Sequence, residues 1–181
     1  VYCSQILNMN LAKILVPYEC SFLADKAFEY AIDLANLNSL KGSNTDSNKL
    51  KTEILLLHVV PEIPIVNLLS ELPVRRKKSK GLVNLSDYLR ELYQQMEEGM
   101  REILENKKRE CMVDAASTQI RILTVVGSPA NKIVDIANDE KVDLIIIGSN
   151  GLKGISKLFR GLGMVARTVS ERASCTVVIT R

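Results

Sequence analysis

The residue pattern with the clearest chemical meaning is a glycine-rich segment that spans residues 148–163 and leads into a helical pattern. Its five glycines are Gly148, Gly151, Gly154, Gly161 and Gly163. Glycine lets a backbone approach a ligand closely, and the free amides at a helix N-terminus attract phosphate. Lys153, Lys157 and Arg160 add positive charge. These residues indicate a phosphate-binding loop, but a tight connection between a strand and a helix would use the same glycines, and at this point both interpretations stay open.

Other catalytic and metal-binding patterns are absent from the sequence. No Gly-Lys-Ser/Thr follows the glycines as in a P-loop, and the G-x-G-x-x-G order of dinucleotide-binding loops does not occur. The four cysteines are scattered, so we expect free thiols in a reducing compartment. The single histidine, His58, is interpreted as a packed, hydrogen-bonded residue, because no nucleophile or paired carboxylate accompanies it. We assign no catalytic and no metal-binding residue.

Charge and hydropathy exclude several classes of partner. The net charge of +3 comes from one short cluster, and the rest of the chain is slightly negative. The cluster consists of Arg75, Arg76, Lys77, Lys78 and Lys80. Without aromatic residues between these cations, a solvated loop is favoured over a nucleic-acid site. No apolar stretch is long enough to span a membrane and no leader pattern opens the chain, so we expect a cytoplasmic protein.

Hydrophobic periodicity predicts the elements that position the glycine-rich segment. Strands are predicted at 11–17, 53–60, 119–127, 142–148 and 175–180. Helices are predicted at 21–37 with Ser21 as N-cap, from Ser86 as N-cap, after Ser128 and Pro129, and up to Ala173. This alternation predicts an α/β fold: a five-stranded parallel open sheet, Rossmann-like, with helices on both faces. Ligands of such sheets bind outside the carboxyl ends of the strands, here after Val16, Val60 and Ile147.

One domain accounts for nearly the whole chain. We expect residues 1–8 to be a disordered lead-in and residues 9–181 to form a single domain. Residues 61–84 lack a clear period and contain three of the five prolines, so they are predicted to form a long loop insert, with one helical turn at 66–72.

Several blocks of the sequence together resemble the universal stress protein family. They are KILVPYECSFLADKAFEYAIDLA, ILLLHVVPE, VVGSPANKIVDIANDEKVDLIIIGSNGLKG and SERASCTVVIT, in this order along the chain. The resemblance runs from Lys13 to Arg181, apart from the central loop. It implies an adenine nucleotide alpha hydrolase-like fold, frequent homodimers, and a division into members that hold ATP and members that do not.

The nucleotide-binding members of that family carry G-x2-G-x9-G-[ST] after the fourth strand. Gly148, Gly151 and Gly161 match its glycines, but Leu162 stands at the hydroxyl position. An alignment from the C-terminus instead makes Gly163 the third glycine and Met164 the hydroxyl position. Either alignment leaves phosphate binding to backbone amides and basic side chains.

The resemblance also implies a nucleoside pocket. Glu19 replaces the usual aspartate two residues after Pro17, and Val59 would meet adenine through its backbone. The implied nucleotide-binding residues are together Pro17, Glu19, Val59, Gly148, Asn150, Gly151, Gly161, Gly163, Met164 and Val165.

Three functions are compatible with these sequence patterns. The first is a stress-response module that binds ATP or another adenine nucleotide, alone or with Mg²⁺, as a switch and not as a substrate of fast turnover. The second is a nucleotide-free homodimeric interaction module, and the third, which we do not favour, is a slow nucleotide hydrolase. If 175–180 is an edge strand, its unpaired amides predict a homodimer through this strand.

Overall fold

A computed structural model of the chain describes residues 10–41, 51–63, 72–75, 82–111, 118–149 and 162–181. The strands are β1 (Lys13–Pro17), β2 (Glu53–Pro61), β3 (Pro73–Arg75), β4 (Leu82–Asn84), β5 (Gln119–Gly127), β6 (Leu144–Gly148) and β7 (Thr176–Thr180). The helices are α1 (Phe22–Lys41), α2 (Leu85–Cys111), α3 (Pro129–Asp139) and α4 (Met164–Arg172). The lead-in at 1–8 and all but the last residue of the helical turn predicted at 66–72 lie outside the described residues.

Five strands form one parallel sheet in the order β5-β2-β1-β6-β7. The chain winds outward from β1 to β5 in one direction, then returns to β6 and winds outward to β7 in the other. The winding therefore reverses between β1 and β6, and the crevice at their carboxyl ends is where ligands of this architecture bind. The predicted five-stranded α/β sheet is confirmed, and β7 is an edge strand of this chain.

Both faces of the sheet are covered by apolar side chains. On one face, Phe28 and Leu104 of α1 and α2 are fully buried against β1, β2, β5 and β6. On the other face, Ile133 of α3 and Val169 of α4 pack on the alternate residues of the same strands. Strands covered on both sides must be apolar throughout, which is why 54–57 and 144–147 read as uninterrupted apolar runs.

The amino edge of the sheet is held by a ring of charges. Arg121 lies 2.9 Å from Glu53 and 2.7 Å from Glu140, and Lys13 lies 2.9 Å from the same Glu140 oxygen. Hydrogen bonds from Arg121 and then Lys13 lower the pKa of Glu140 to about 2. The ring ties β1, β2, β5 and the end of α3 together on the side away from the crevice.

Two predictions of local structure are wrong. The insert at 61–84 is not entirely loop, because β3 and β4 pair as a short antiparallel ladder within it. Ser86 is not the N-cap of α2, which begins one residue earlier at Leu85. Asn84, a residue type that caps helices as well as serine does, directly precedes that start. Among the described residues, no helix is long and apolar enough to cross a membrane.

Candidate functional site

The loop after β1 forms one wall of the crevice and is fixed by short hydrogen bonds. The Tyr18 amide donates to the Leu57 carbonyl at 2.8 Å. The Ser21 hydroxyl donates to the Glu19 carboxylate at 2.5 Å and accepts the Ala24 amide at 3.1 Å. Ser21 therefore caps α1 as the sequence predicted, and it also fixes the orientation of Glu19.

Glu19 is a half-buried carboxylate at this edge. Its burial raises the pKa of the carboxyl group, and the hydrogen bond from Ser21 and the nearby His58 offset only part of that rise. A carboxylate in this position offers acceptor oxygens to ligand hydroxyl or amino groups.

A buried tyrosine connects this loop to both helices of the covering layer. The Tyr18 hydroxyl donates to Asp25 at 2.6 Å, and Lys107 of α2 lies 2.8 Å from the same carboxylate oxygen. Burial alone would raise the pKa of Asp25, but the hydrogen bonds from Lys107 and Tyr18 hold it below its usual range. This cluster cannot be predicted from local sequence, because α2 reaches Asp25 only through the tertiary fold.

Gly148, at the end of β6, allows α1 to approach the sheet closely. A Cβ atom at this position would lie 3.0 Å from the Leu23 Cβ and 3.2 Å from the Leu23 backbone carbon. Of the described glycines, only Gly127 has a positive φ, so Gly148 is required for space and not for an unusual dihedral angle. The close approach brings the start of α1 to the carboxyl end of β6.

The start of α4 is held beside the end of β6 by backbone hydrogen bonds. The Gly163 amide donates to the Ser149 carbonyl at 2.7 Å, and the Ser149 amide donates to the Thr180 carbonyl at 2.8 Å. Gly163 is the N-cap of α4, and no side chain caps the helix. The crevice between β1 and β6 thus has the N-terminus of α4 at one side and the loop of Glu19 at the other.

The first amides of α4 have no acceptor within the helix. The first helical bond runs from the Arg167 amide to the Gly163 carbonyl at 2.9 Å, so the amides of Met164, Val165 and Ala166 precede it. These groups and the helix dipole favour an anion. The Met164 side chain is 84% exposed, so it does not cover them.

The structure describes seven of the ten residues that the sequence suggested for nucleotide binding. Pro17 ends β1 and is buried, and Val59 lies near the end of β2 with its side chain in the core. Asn150, Gly151 and Gly161 lie outside the described residues, as do the basic side chains of the same loop. Within the described part of the chain, no three metal-binding side chains cluster, and Cys20, Cys111 and Cys175 are free thiols.

The fold and the crevice define a class of α/β proteins whose ligands bind where a parallel sheet changes its winding direction. The sequence model of the universal stress protein family matches residues 10–181. The chain therefore belongs to the universal stress protein family.

Relatives and solved structures agree with this assignment. Universal stress protein YxiE of Bacillus subtilis is 27% identical over 172 residues, covering 93% of this chain and 98% of that protein. Universal stress protein MJ0577 of Methanocaldococcus jannaschii is 28% identical over 177 residues, and the match covers 97% of this chain and 98% of that protein. UspA of Lactobacillus plantarum has a TM-score of 0.70 at 20% identity, covering 96% of this chain and 100% of that one.

Two further structures with the same fold hold an adenine nucleotide. A universal stress protein in complex with cAMP has a TM-score of 0.57 at 17% identity and covers 94% of this chain and 97% of that chain. A family protein from Arabidopsis thaliana, At3g01520, has AMP bound, with a TM-score of 0.51 at 16% identity and coverage of 93% and 90%. At these identities the likeness shows the fold that they share with this chain.

Proposed function

We propose that this chain binds an adenine nucleotide in the crevice between β1 and β6, and that the nucleotide acts as a switch and not as a rapidly consumed substrate. The observation that carries the proposal is the N-terminus of α4, whose first three amides have no acceptor within the helix and lie at the ligand-binding edge of the sheet. Relatives of the same fold with cAMP and AMP support an adenine nucleotide as the anion.

The phosphate would bind at the start of α4. Leu162 packs against the apolar layer between α3 and α4, so its side chain is directed away from an anion at the helix end. Met164 is exposed at the first helical position, where a hydroxyl would add a further donor. This supports the alignment in which Met164 replaces the family's hydroxyl residue, and it leaves the phosphate to backbone amides.

The nucleoside would bind toward the loop after β1. Glu19 offers carboxylate oxygens, and the Ser21 hydroxyl and the end of β1 at Pro17 fix that loop in place. The Val59 side chain is committed to the core, so only its backbone is available to the base. Together these groups would contact the two ends of a nucleoside monophosphate.

We propose that two copies pair through β7. This strand is an edge of the sheet, and its residues 177–180 are half-buried within one chain. An exposed strand edge presents unpaired backbone groups that a second copy satisfies. Light scattering at micromolar concentration is expected to give twice the chain mass, and the mass of a single chain would contradict the pairing.

Charge at position 164 tests the nucleotide site directly. Met164→Glu places a carboxylate at the first turn of α4, where it favours the helix but repels phosphate. Met164→Gln has nearly the same shape without the charge. In calorimetric titrations with AMP, ADP and ATP, with and without Mg²⁺, we expect Met164→Glu to weaken binding at least tenfold and Met164→Gln to bind within about threefold of the wild type. Equal binding by all three proteins would contradict the phosphate site.

A nucleotide-free interaction module is the second candidate. It is favoured by two exposed apolar side chains at the starts of α1 and α4, Phe22 at 71% and Met164 at 84% exposure. The same titrations decide between the two functions. Absence of saturable heat from the wild type at millimolar nucleotide would favour the module.

A further inference from the structure

His58 contacts the loop after β1, beside the proposed nucleotide site. Its Nδ1 atom lies 2.7 Å from the backbone carbonyl oxygen of Tyr18. A carbonyl oxygen can only accept, so Nδ1 carries the hydrogen and the imidazole donates. The contact joins the His58 side chain, which β2 carries, to the loop that contains Glu19.

This contact takes the place of a backbone hydrogen bond that would continue the ladder between β1 and β2. In a parallel ladder, one residue donates its amide to a carbonyl of the neighbouring strand. The carbonyl of the same residue then accepts the amide of the neighbouring residue two positions further along. The last donation here runs from the Tyr18 amide to the Leu57 carbonyl at 2.8 Å. The next bond would run from the Val59 amide to the Tyr18 carbonyl. The imidazole of His58 occupies that carbonyl instead, and in the described part of the chain no hydrogen bond joins the Val59 amide to β1 or its loop.

The other neighbour of β2 does not engage Val59 either. Along β2, successive backbone groups alternate between β1 and β5, and the β5 side ends with the Glu62 amide donating to the Gly127 carbonyl at 3.2 Å. This alternation directs the amide of Val60 to β5 and the amide and carbonyl of Val59 to the side of β1. Beyond the end of β1, that side is the crevice.

We propose that His58 is a positioning residue that keeps the backbone of Val59 open for a nucleobase. An amide donor beside a carbonyl acceptor matches adenine, which presents a ring nitrogen acceptor beside its amino donor. On its N7 edge guanine presents two acceptors, N7 and O6, where adenine presents N7 and its amino group, and so leaves the Val59 carbonyl without a donor. By donating to the Tyr18 carbonyl, His58 keeps the ladder between β1 and β2 from extending to the amide and carbonyl of Val59. The inference rests on the proposed nucleotide function for its ligand, but the backbone arrangement exists without ligand.

Amide hydrogen exchange of the ligand-free protein, followed by nuclear magnetic resonance, tests the arrangement by itself. In the wild type the Val59 amide is expected to exchange at least tenfold faster than the Val60 amide. In His58→Leu the ladder bond to Tyr18 is free to form, and exchange at Val59 is expected to slow about tenfold. In His58→Asn the side-chain amide replaces the Nδ1 donor, and Val59 is expected to exchange as in the wild type. Equal protection of Val59 and Val60 in the wild type would overturn the inference.

Titration of the same three proteins with AMP and GMP tests the role in binding. His58→Leu is expected to lose about tenfold in AMP affinity and most of the preference over GMP, while His58→Asn stays within about threefold of the wild type. An unchanged preference in His58→Leu, at a matched urea midpoint, would overturn the inference. If the wild type binds no AMP, the proposed function fails, and hydrogen exchange still decides whether His58 holds the ladder open.

Discussion

Gly148→Ala tests the close approach on which the crevice depends. The added Cβ would lie 3.0 Å from the Leu23 Cβ and 3.2 Å from its backbone carbon. Non-bonded carbons prefer about 3.5–4.0 Å, so α1 must move by several tenths of an ångström. The nearest neighbours are a Cβ and a backbone atom, not the end of a flexible side chain. Overpacking of this kind costs about 1–3 kcal/mol in the free energy of unfolding.

Gly99→Ala is the matched control, because it adds the same methyl group where there is room for it. Gly99 lies within α2, and nothing is within 4 Å of the added Cβ. Replacing an exposed helical glycine by alanine is expected to stabilise the protein by about 0.5–1 kcal/mol. The two substitutions should therefore have opposite effects on stability.

Urea and thermal unfolding measure both effects. For a chain of this length about 1 kcal/mol corresponds to roughly 2–4 °C, so we expect the midpoint to fall by several degrees in Gly148→Ala and to rise by a few degrees in Gly99→Ala. The urea slope should not change in either variant. A Gly148→Ala protein as stable as the wild type would refute the packing argument.

Three further substitutions test the contacts around the sheet. Glu140→Gln removes the ion pair with Arg121 and is expected to cost about 1 kcal/mol at pH 7 in urea unfolding. Because the pKa of Glu140 is lowered to about 2 from its usual 4.5, the wild type keeps this advantage above pH 4.5 and loses it as the pH falls toward 2, where the two stabilities should converge. Tyr18→Phe removes the hydrogen bond from the hydroxyl group to Asp25, and we expect the free energy of unfolding to fall by about 1–2 kcal/mol. NMR titration should show a higher pKa of Asp25 in this variant, and an unchanged pKa would contradict the contact. Ser21→Ala removes the cap of α1 and should cost about 1 kcal/mol in thermal unfolding, with no loss arguing against the cap.

The order of elements could be predicted from the sequence because both faces of the sheet are covered. A strand such as β6 is buried throughout, and its unbroken apolar run is a strong local signal. The paired strands β3 and β4 gave no such signal, since each has three residues and β3 begins with a proline. The start of α2 was misplaced because Asn84 and Ser86 are both good capping residues, and local sequence does not choose between them.

The candidate site was only partly predictable for a different reason. The glycine of β6 and the serine that caps α1 belong to local patterns, so sequence alone could identify them. The partner of Gly148 could not be predicted, because only the tertiary fold brings Leu23 to it. The same holds for Asp25 and Lys107, which lie on different helices, and for the imidazole of His58, whose acceptor is a backbone atom of the loop after β1.

Native mass spectrometry of freshly purified protein tests the central claim most directly, because it detects a retained ligand and the oligomer together. The account predicts a chain pair that carries the added mass of AMP, ADP or ATP, or that gains such a mass when the nucleotide is supplied, and predicts that Met164→Glu loses it. A wild-type protein that keeps the mass of the bare chain after millimolar ATP and AMP are added would contradict the account.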